Sequence, residues 1–329
     1  LEERLAGLEG AEDALATATG FAAVAAVFLS LLKAGDHLIV SEVCYAGDYE
    51  LATRALPDLG IEVTPLRPDR PRRGACRAST HDPSDPRRDA LQPDTAADRP
   101  CGPVGPGTRG RGASVGGQHA CDAGHLTRPL EHGADLVIHS LTKLMNGHGD
   151  ALGGAVIGRR DLISAIRSRA GVYLGATLSA QNAWLILRGL DTLFPRLRTA
   201  CETAGRICDW LTAHPAVTRV KWPGAADHPQ LALARRQLAL GGAMIAFQSQ
   251  QVPAELGRRM AERFLVIHYA FSLGHQRSIC VHIGRRSTFR MEGAALGRWQ
   301  DWAGEGAFRL SVGLEDPADL IADLGRALD

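Results

Sequence analysis

The sequence predicts an α/β protein: a mostly parallel central sheet wrapped by helices, followed by a smaller C-terminal α/β domain. Up to about Leu190, short apolar runs of strand length alternate with longer runs of helical pattern, the arrangement that produces parallel strands joined by crossover helices. From Asp191 a long helical stretch leads into a second group of elements holding Trp222, Phe247, Phe271 and Phe308. A chain of 329 residues exceeds what one hydrophobic core usually serves. The expected domains are residues 1–190 and 191–329, and no internal repeat interrupts them.

The elements follow in order. The longest apolar run, Phe21 to Leu32, is shorter than the ~20 residues a membrane span needs and reads as a buried helix with Thr19 as its N-cap. Next comes a short strand from His37 to Val40, which places Tyr45 beyond its carboxyl end, where open α/β sheets bind ligands. Gly133 closes a helical turn before an apolar strand that runs to His139, and Gly153 to Gly158 is a second buried strand bounded by glycines. Phe308 to Val312 alternates apolar and polar residues and reads as a strand of the second domain.

Composition excludes several classes of function. A net charge of +1 leaves no electrostatic footprint for nucleic acid or an anionic membrane, so a negative ligand needs a local site. Seven cysteines at irregular spacing, without a C-x-x-C pair or a secretory leader, are expected as free thiols in a reducing cytoplasm. The twelve histidines are scattered, and His139 and His148 read as loop structure rather than metal ligands.

Chemistry is concentrated between the two buried strands, in Ser140-Leu141-Thr142-Lys143 and the turn Gly147-His148-Gly149. An ammonium sheltered there is costly unless neutralised or bonded, and the free amine is the form that attacks an aldehyde to make a Schiff base. Ser140 and Thr142 place hydroxyl donors beside it, suited to a phosphate. A solvated lysine in a polar loop is the plainer reading of a lone Lys; the flanking hydroxyls and the glycine turn favour the chemical one.

The stretch from His139 to Asp150 resembles the cofactor-lysine motif of the Cys/Met-metabolism family of pyridoxal-phosphate (PLP) enzymes, which includes the cystathionine γ-synthases and the cystathionine and methionine γ-lyases. Other matches fall in the family's order. They are Leu1 to Glu12, Thr17 to Ala23, Tyr45 to Tyr49, Gly175 to Ser179, Arg188 to Leu190, and Phe308 to Asp316. The resemblance covers residues 1–66 and 126–329. It implies the fold type I architecture of PLP enzymes, a small amino-acid substrate, and a homotetramer of dimers with active sites between subunits. It also implies a Tyr and an Arg ahead of the first helix that reach a neighbouring subunit's cofactor; the sequence opens on Leu1, and neither is assigned.

By this resemblance Lys143 holds the cofactor covalently and then shuttles protons. Gly20 and Phe21 cradle the phosphate at a helix start, joined by Ser140 and Thr142. Tyr45 stacks on the cofactor ring and relays protons. Arg309, with a planar fork suited to a carboxylate, and Ser272 hold the substrate's α-carboxylate. Without the family, an internal salt bridge from Arg309 to Glu315 or Asp316 would be an even alternative. Gly47 stands where methionine γ-lyases usually carry a cysteine, which weighs against methionine as the preferred substrate. Beyond Ser272, His275-Gln276-Arg277 departs from the commoner family continuation. The expected activity is γ-elimination or γ-replacement on sulfur amino acids or activated homoserine.

One stretch does not fit. Between Arg67 and His125 there is no Phe, Trp, Tyr, Ile or Met, too little apolar surface to offset chain entropy and too long for a structureless loop in a compact domain. A reading-frame slip is a hypothesis that accounts for it. Codons for residues 88–94, read one base forward, permit Glu-Thr-Pro-Ser-Asn-Pro-Thr, a family loop signature. The same shift over residues 116–123 permits Val-Asp-Asn-Thr-x-Ala-Thr-Pro, resembling the strand end whose aspartate pairs with the pyridine nitrogen. Asp122 does not arise from that aspartate codon and takes no such role. Resequencing the gene from the codon for Ile61 to that for Gly133 tests this: two compensating single-base differences support the slip. A confirmed frame favours the alternative, a catalytically inactive or damaged remnant lacking that aspartate.

Overall fold

The computed structural model describes residues 1–41, 44–66, 92–94, 114–118, 126–284, 297, 303–304 and 306–329; for 92–94, 114 and 116–118 it describes the backbone alone. Two compact units emerge, Leu1–Asn146 with Asp150–Leu190, and Gly147–Gly149 with Asp191–Asp329.

The first unit opens with α1 (Glu2–Glu9), closed by Gly10, whose φ of 67° lets its N–H reach Ala6 O and Gly7 O. Then come β1 (Asp13–Thr17), α2 (Gly20–Leu31), β2 (His37–Ser41), α3 (Ala46–Glu50), α4 (Leu56–Asp58) and β3 (Glu62–Leu66). β4 (Gln92–Asp94), β5 (Ser114–Gln118), β6 (Leu136–His139), β7 (Gly154–Gly158), α5 (Arg160–Ile166) and α6 (Ala180–Leu190) complete it. The sheet order is β1-β7-β6-β5-β4. β7 runs antiparallel to both β1 and β6, while β4, β5 and β6 pair in parallel. Four strands therefore point one way and β7 alone opposes them; β2 and β3 form a separate parallel ladder.

Helix α2 is apolar on nearly every face, the pattern of a helix buried in a core. Ala23, Val24, Val27 and Phe28 are buried against Leu15, Leu136, Ile138, Val156 and Ile163, and a Phe28→Ala cavity there would cost about 3–5 kcal/mol. Successive strand residues face opposite sides. Leu136 and Ile138 thus meet α2, while His139 turns to the other face and meets Glu9 of α1.

The second unit contains α7 (Leu193–Ala213), β8 (Val217–Lys221), α8 (Leu231–Gln237), β9 (Met244–Ser249), α9 (Pro253–Arg263), β10 (His268–Tyr269), β11 (Ile279–Gly284), β12 (Gly306–Ser311) and α10 (Pro317–Leu328). Its sheet order is β10-β11-β12-β9-β8. Phe247 of β9 and Phe308 of β12 stack with centroids 5.3 Å apart, under Ile207, Leu211, Met260, Leu320 and Leu324 of the covering helices. Phe308 and Leu310 belong to this core, so the alternation of β12 sends Arg309 and Ser311 to the opposite face. In α10 the buried Asp323 carboxylate accepts the N–H groups of Leu265, Val266 and Ile267 at 2.8–3.0 Å. Burial alone would raise its pKa; those donors and Arg326 together hold it below the ordinary value.

Among the described residues no helix is long and apolar enough to cross a membrane, and no group of His, Cys, Asp and Glu is placed to hold a metal ion.

Candidate cofactor and substrate site

The start of α2 is a ready-made anion seat. Thr19, in extended conformation, accepts the N–H of Ala22 at 3.0 Å, and the first turn carries no acidic side chain. The remaining first-turn N–H groups and the positive end of the helix dipole favour a phosphate. Gly20 has no room for a side chain: a Cβ there would lie 2.9 Å from both Cβ and Oγ of Ser140. The missing methyl lets the lysine loop rest on the helix start. Gly154 does the same for the turn before α2, since its Cβ would stand 2.2 Å from Thr19 O.

The loop leaves β6 at the buried Ser140 and turns at once, with Lys143 N–H donating to Ser140 O at 3.1 Å. Leu141, Leu144, Met145 and Asn146 are buried and anchor it, while Lys143 is only partly buried. Thr142 donates its hydroxyl proton to Gly153 O at 3.2 Å and accepts Gly153 N–H at 3.1 Å. Its proton is thereby committed to bracing the two arms of the loop. Of the two hydroxyls expected near a phosphate, Ser140 is the one against Gly20.

Phe21 continues the seat on its other side. A Cβ on Gly47 would lie 2.8 Å from Tyr45 Cε1 and 3.3 Å from Phe21 Cε2, so the two rings flank Gly47. They are 48 % and 43 % exposed, an aromatic wall left open to a planar ligand. Consecutive residues Gly20 and Phe21 therefore join the lysine loop to the tyrosine.

Sequence reasoning missed one supporting pair. His139 Nε2 and Glu9 Oε1 lie 2.6 Å apart, both side chains fully buried. They are 130 positions apart, and no local pattern announces them. The pair ties α1 to the strand end from which Ser140 emerges.

The strand expected to supply a carboxylate is β5, between β4 and β6, with Gly117 opposite Ile138 and Gln118 opposite His139. In the written sequence β5 holds none, and the shifted reading puts its aspartate at position 117. Asp122 lies outside the described residues, as do residues 88–91 and 119–123 of the two recovered strings. For PLP, the first unit thus fits the phosphate, the aldehyde carbon and the ring face.

In the second unit, Arg309 Nη2 donates to Ser272 O at 3.1 Å, and its buried Nε has no hydrogen-bond partner among the described residues. Neither acidic neighbour in sequence answers it. Glu315 accepts from the backbone and hydroxyl of Ser278 at 2.7 and 2.8 Å, and Asp316 caps α10 through Ala318 N–H. A partly buried guanidinium with its Nε donor unused is arranged for an anion. Ser272 Oγ meets His275 Nε2 at 3.1 Å, and Gly274 N–H donates to Ser311 Oγ at 2.9 Å. Arg309 also acts on Cys280, yet burial dominates and pushes that thiol up to about 12, so it stays protonated and inert.

The family signature of Cys/Met metabolism PLP-dependent enzymes matches residues 1–79 and 119–329. The chain belongs to this family. A canavanine gamma-lyase from Pseudomonas canavaninivorans is 39% identical over 100% of this chain and 82% of its own length. An O-succinylhomoserine sulfhydrylase from Pseudomonas aeruginosa is 34% identical over 99% and 80%. Among solved structures, cystathionine gamma synthase from Xanthomonas oryzae pv. oryzae, crystallised with aminoacrylate and cysteine, superposes with a TM-score of 0.85 at 31% identity, covering 99% and 84% of the two chains. This Cys/Met-metabolism enzyme has the fold type I architecture and is a PLP-dependent lyase or transferase of the trans-sulfuration type, working by γ-elimination or γ-replacement. No finding favours the inactive remnant over a working enzyme.

Proposed function

We propose that this enzyme catalyses γ-elimination from an α-amino acid bearing a heteroatom leaving group on Cγ. The observation that carries the reading of the cofactor site is the double contact of α2, through Gly20 to Ser140 of the lysine loop and through Phe21 to the Gly47–Tyr45 turn. Elimination is preferred to replacement because the canavanine gamma-lyase is more similar, at 39% identity, than the sulfhydrylase at 34%.

When bound, PLP supplies an electron sink for charge that develops on the substrate. The start of α2 and Ser140 bind its phosphate. Lys143 would hold it by its amine and would move a proton at the substrate's Cα and Cβ. Tyr45 covers the ring and carries a proton at its phenolic oxygen. Arg309 and Ser272 orient the amino acid by its α-carboxylate. The test is release of ammonia and a 2-oxo acid from L-canavanine, L-methionine and cystathionine without added thiol. Turnover of O-succinylhomoserine alone, and only with thiol, would contradict it.

The assembly we propose is a homotetramer built as a dimer of dimers, in the cytoplasm. Val172, Tyr173, Leu174 and Trp184 expose more than half of their surface, an apolar area suited to a second copy. Among the described residues Cys44, Cys201, Cys208 and Cys280 are buried and outside any disulfide, in keeping with a reducing compartment. Light scattering on the purified protein checks the assembly; a monomer at micromolar concentration would refute it.

A further inference from the structure

We infer that Asp150 is a positioning residue for Lys143: its carboxylate holds Asn146, which closes the turn carrying the lysine, and so fixes where the amine stands. This rests on Lys143 being the cofactor lysine. The two ends of the lysine loop are held by different means. Its start is the end of β6, whose backbone is paired on both sides as far as His139, and there Ser140 faces Gly20. Its other end lies outside any strand. From Ser140 to Asn146 the chain makes one coil, in which Lys143 N–H donates to Ser140 O at 3.1 Å and Asn146 N–H to Leu141 O at 3.0 Å. Lys143 therefore rides on a coil whose last residue is Asn146.

Asn146 is fully buried, and its side-chain amide donates to Asp150 Oδ1 at 2.9 Å. A hydrogen bond to a charged acceptor is stronger than a neutral one. The other carboxylate oxygen, Oδ2, accepts from Arg188 Nη2 of α6 at 3.4 Å. Helix α6 is pressed against the same coil. A Cβ on Gly189 would stand 2.4 Å from Asn146 O, and one on Gly153 would stand 2.7 Å from Ile186 Cδ1 and 3.2 Å from Leu141 Cβ. Asp150 thus bridges the closing residue of the coil and the helix behind it, joining the stretches His139 to Asp150 and Arg188 to Leu190. Its two arms are unequal. The side chains of Arg188 and Asp150 are 55% and 39% exposed, where an ion pair contributes little, whereas the arm to Asn146 ends in the core. Covalent attachment joins the lysine nitrogen to the aldehyde carbon as the aldehyde oxygen leaves as water, so its gain depends on where the amine stands. A phosphate held by the start of α2 and Ser140 is indifferent to that position.

The experiment compares two ligands on the full chain freed of cofactor with hydroxylamine: PLP, and pyridoxine 5′-phosphate, which has the same ring and phosphate but no aldehyde for Lys143 to attack. Calorimetry gives both Kd values. Asp150→Ala should raise the Kd of PLP roughly tenfold, the effect of one hydrogen bond to a charged group, and change that of pyridoxine 5′-phosphate less than about twofold. Asp150→Asn, whose Oδ1 can still accept from Asn146, should keep PLP binding within about threefold of wild type. Arg188→Ala, which removes only the exposed arm, should weaken PLP less than about threefold. Equal losses for the two ligands after Asp150→Ala, no loss for either, or an Asp150→Asn variant as weak as Asp150→Ala would overturn the inference. Lys143→Ala separates the inference from the reading beneath it. If it leaves PLP bound as tightly as in wild type, the assignment of the cofactor lysine is wrong. If it removes the preference for PLP while Asp150→Ala keeps it, only the role of Asp150 falls. Should Asp150→Ala fail to fold, Asp150→Ser, whose oxygen falls one bond short of Asn146, enters the same comparison with the same expected losses.

Discussion

In the first unit, Gly20 and Ser140 meet through backbone and missing side chains, whereas in the second unit Arg309 and Ser272 belong to a cluster of polar side chains gripping a loop. The first region uses close approach: Gly20 to Ser140, Gly154 to Thr19 O, Gly47 to the Tyr45 and Phe21 rings. The second uses hydrogen bonds: Arg309 donates to Ser272 O, Gly274 N–H donates to Ser311 Oγ, and Ser272 Oγ shares one with His275 Nε2. A backbone seat suits a cofactor whose phosphate never changes, and it tolerates no added volume. A side-chain seat suits a substrate that comes and goes.

The contrast breaks first at its reactive centre. Lys143→Ala should lower turnover on the order of 10⁴-fold or more, since it removes both the covalent anchor and the proton carrier; residual turnover near wild type in a steady-state assay would refute its assignment. Gly154→Ala sets a methyl against the Thr19 carbonyl, a backbone atom that cannot swing aside, and should cost about 3 kcal/mol in denaturant unfolding. A control away from both regions is Asp323→Ala, which strands three N–H groups and should cost a similar ~3 kcal/mol without changing cofactor affinity. Its pH signature has a definite sign. The folded carboxylate titrates below its ordinary value, so its contribution is present above the unfolded pKa of about 3.9 and fades as pH falls through the lower folded value. Acid unfolding followed by circular dichroism should lose that component in the variant.

Gly20→Ala should cost less, about 1–2 kcal/mol, because Ser140 can shift; the loss should show as faster release of PLP on dialysis. Gly47→Cys is expected to be the mildest. Its Cβ meets the half-exposed Tyr45 ring, which can rotate away, so stability should fall by under about 1 kcal/mol while turnover changes several-fold. A large loss of stability would show that Tyr45 is held rigidly.

Much of this was legible in the letters, for local reasons. The apolar run at Phe21 became α2, the runs before His139 and after Gly153 became β6 and β7, and the alternation at Phe308 became β12. Each is encoded by neighbours within one element. What escaped was set by distance in the chain. Nothing near Glu9 announces His139, and nothing near Thr142 shows that its proton belongs to Gly153. The letters around Arg309 suit an internal salt bridge as well as a ligand, and only the fold shows Glu315 bonded to Ser278 and Asp316 capping α10. Across residues 67–125 the apolar signal itself is missing, so the periodicities that define elements had nothing to act on.

The most direct test of the central claim is to add PLP to the purified protein, reduce with borohydride, and map the modified peptide. The chain contains three lysines, Lys33, Lys143 and Lys221, so the assignment is unambiguous. The account predicts one reduced cofactor per chain, on Lys143. An adduct on Lys33 or Lys221, or none at all, would contradict it.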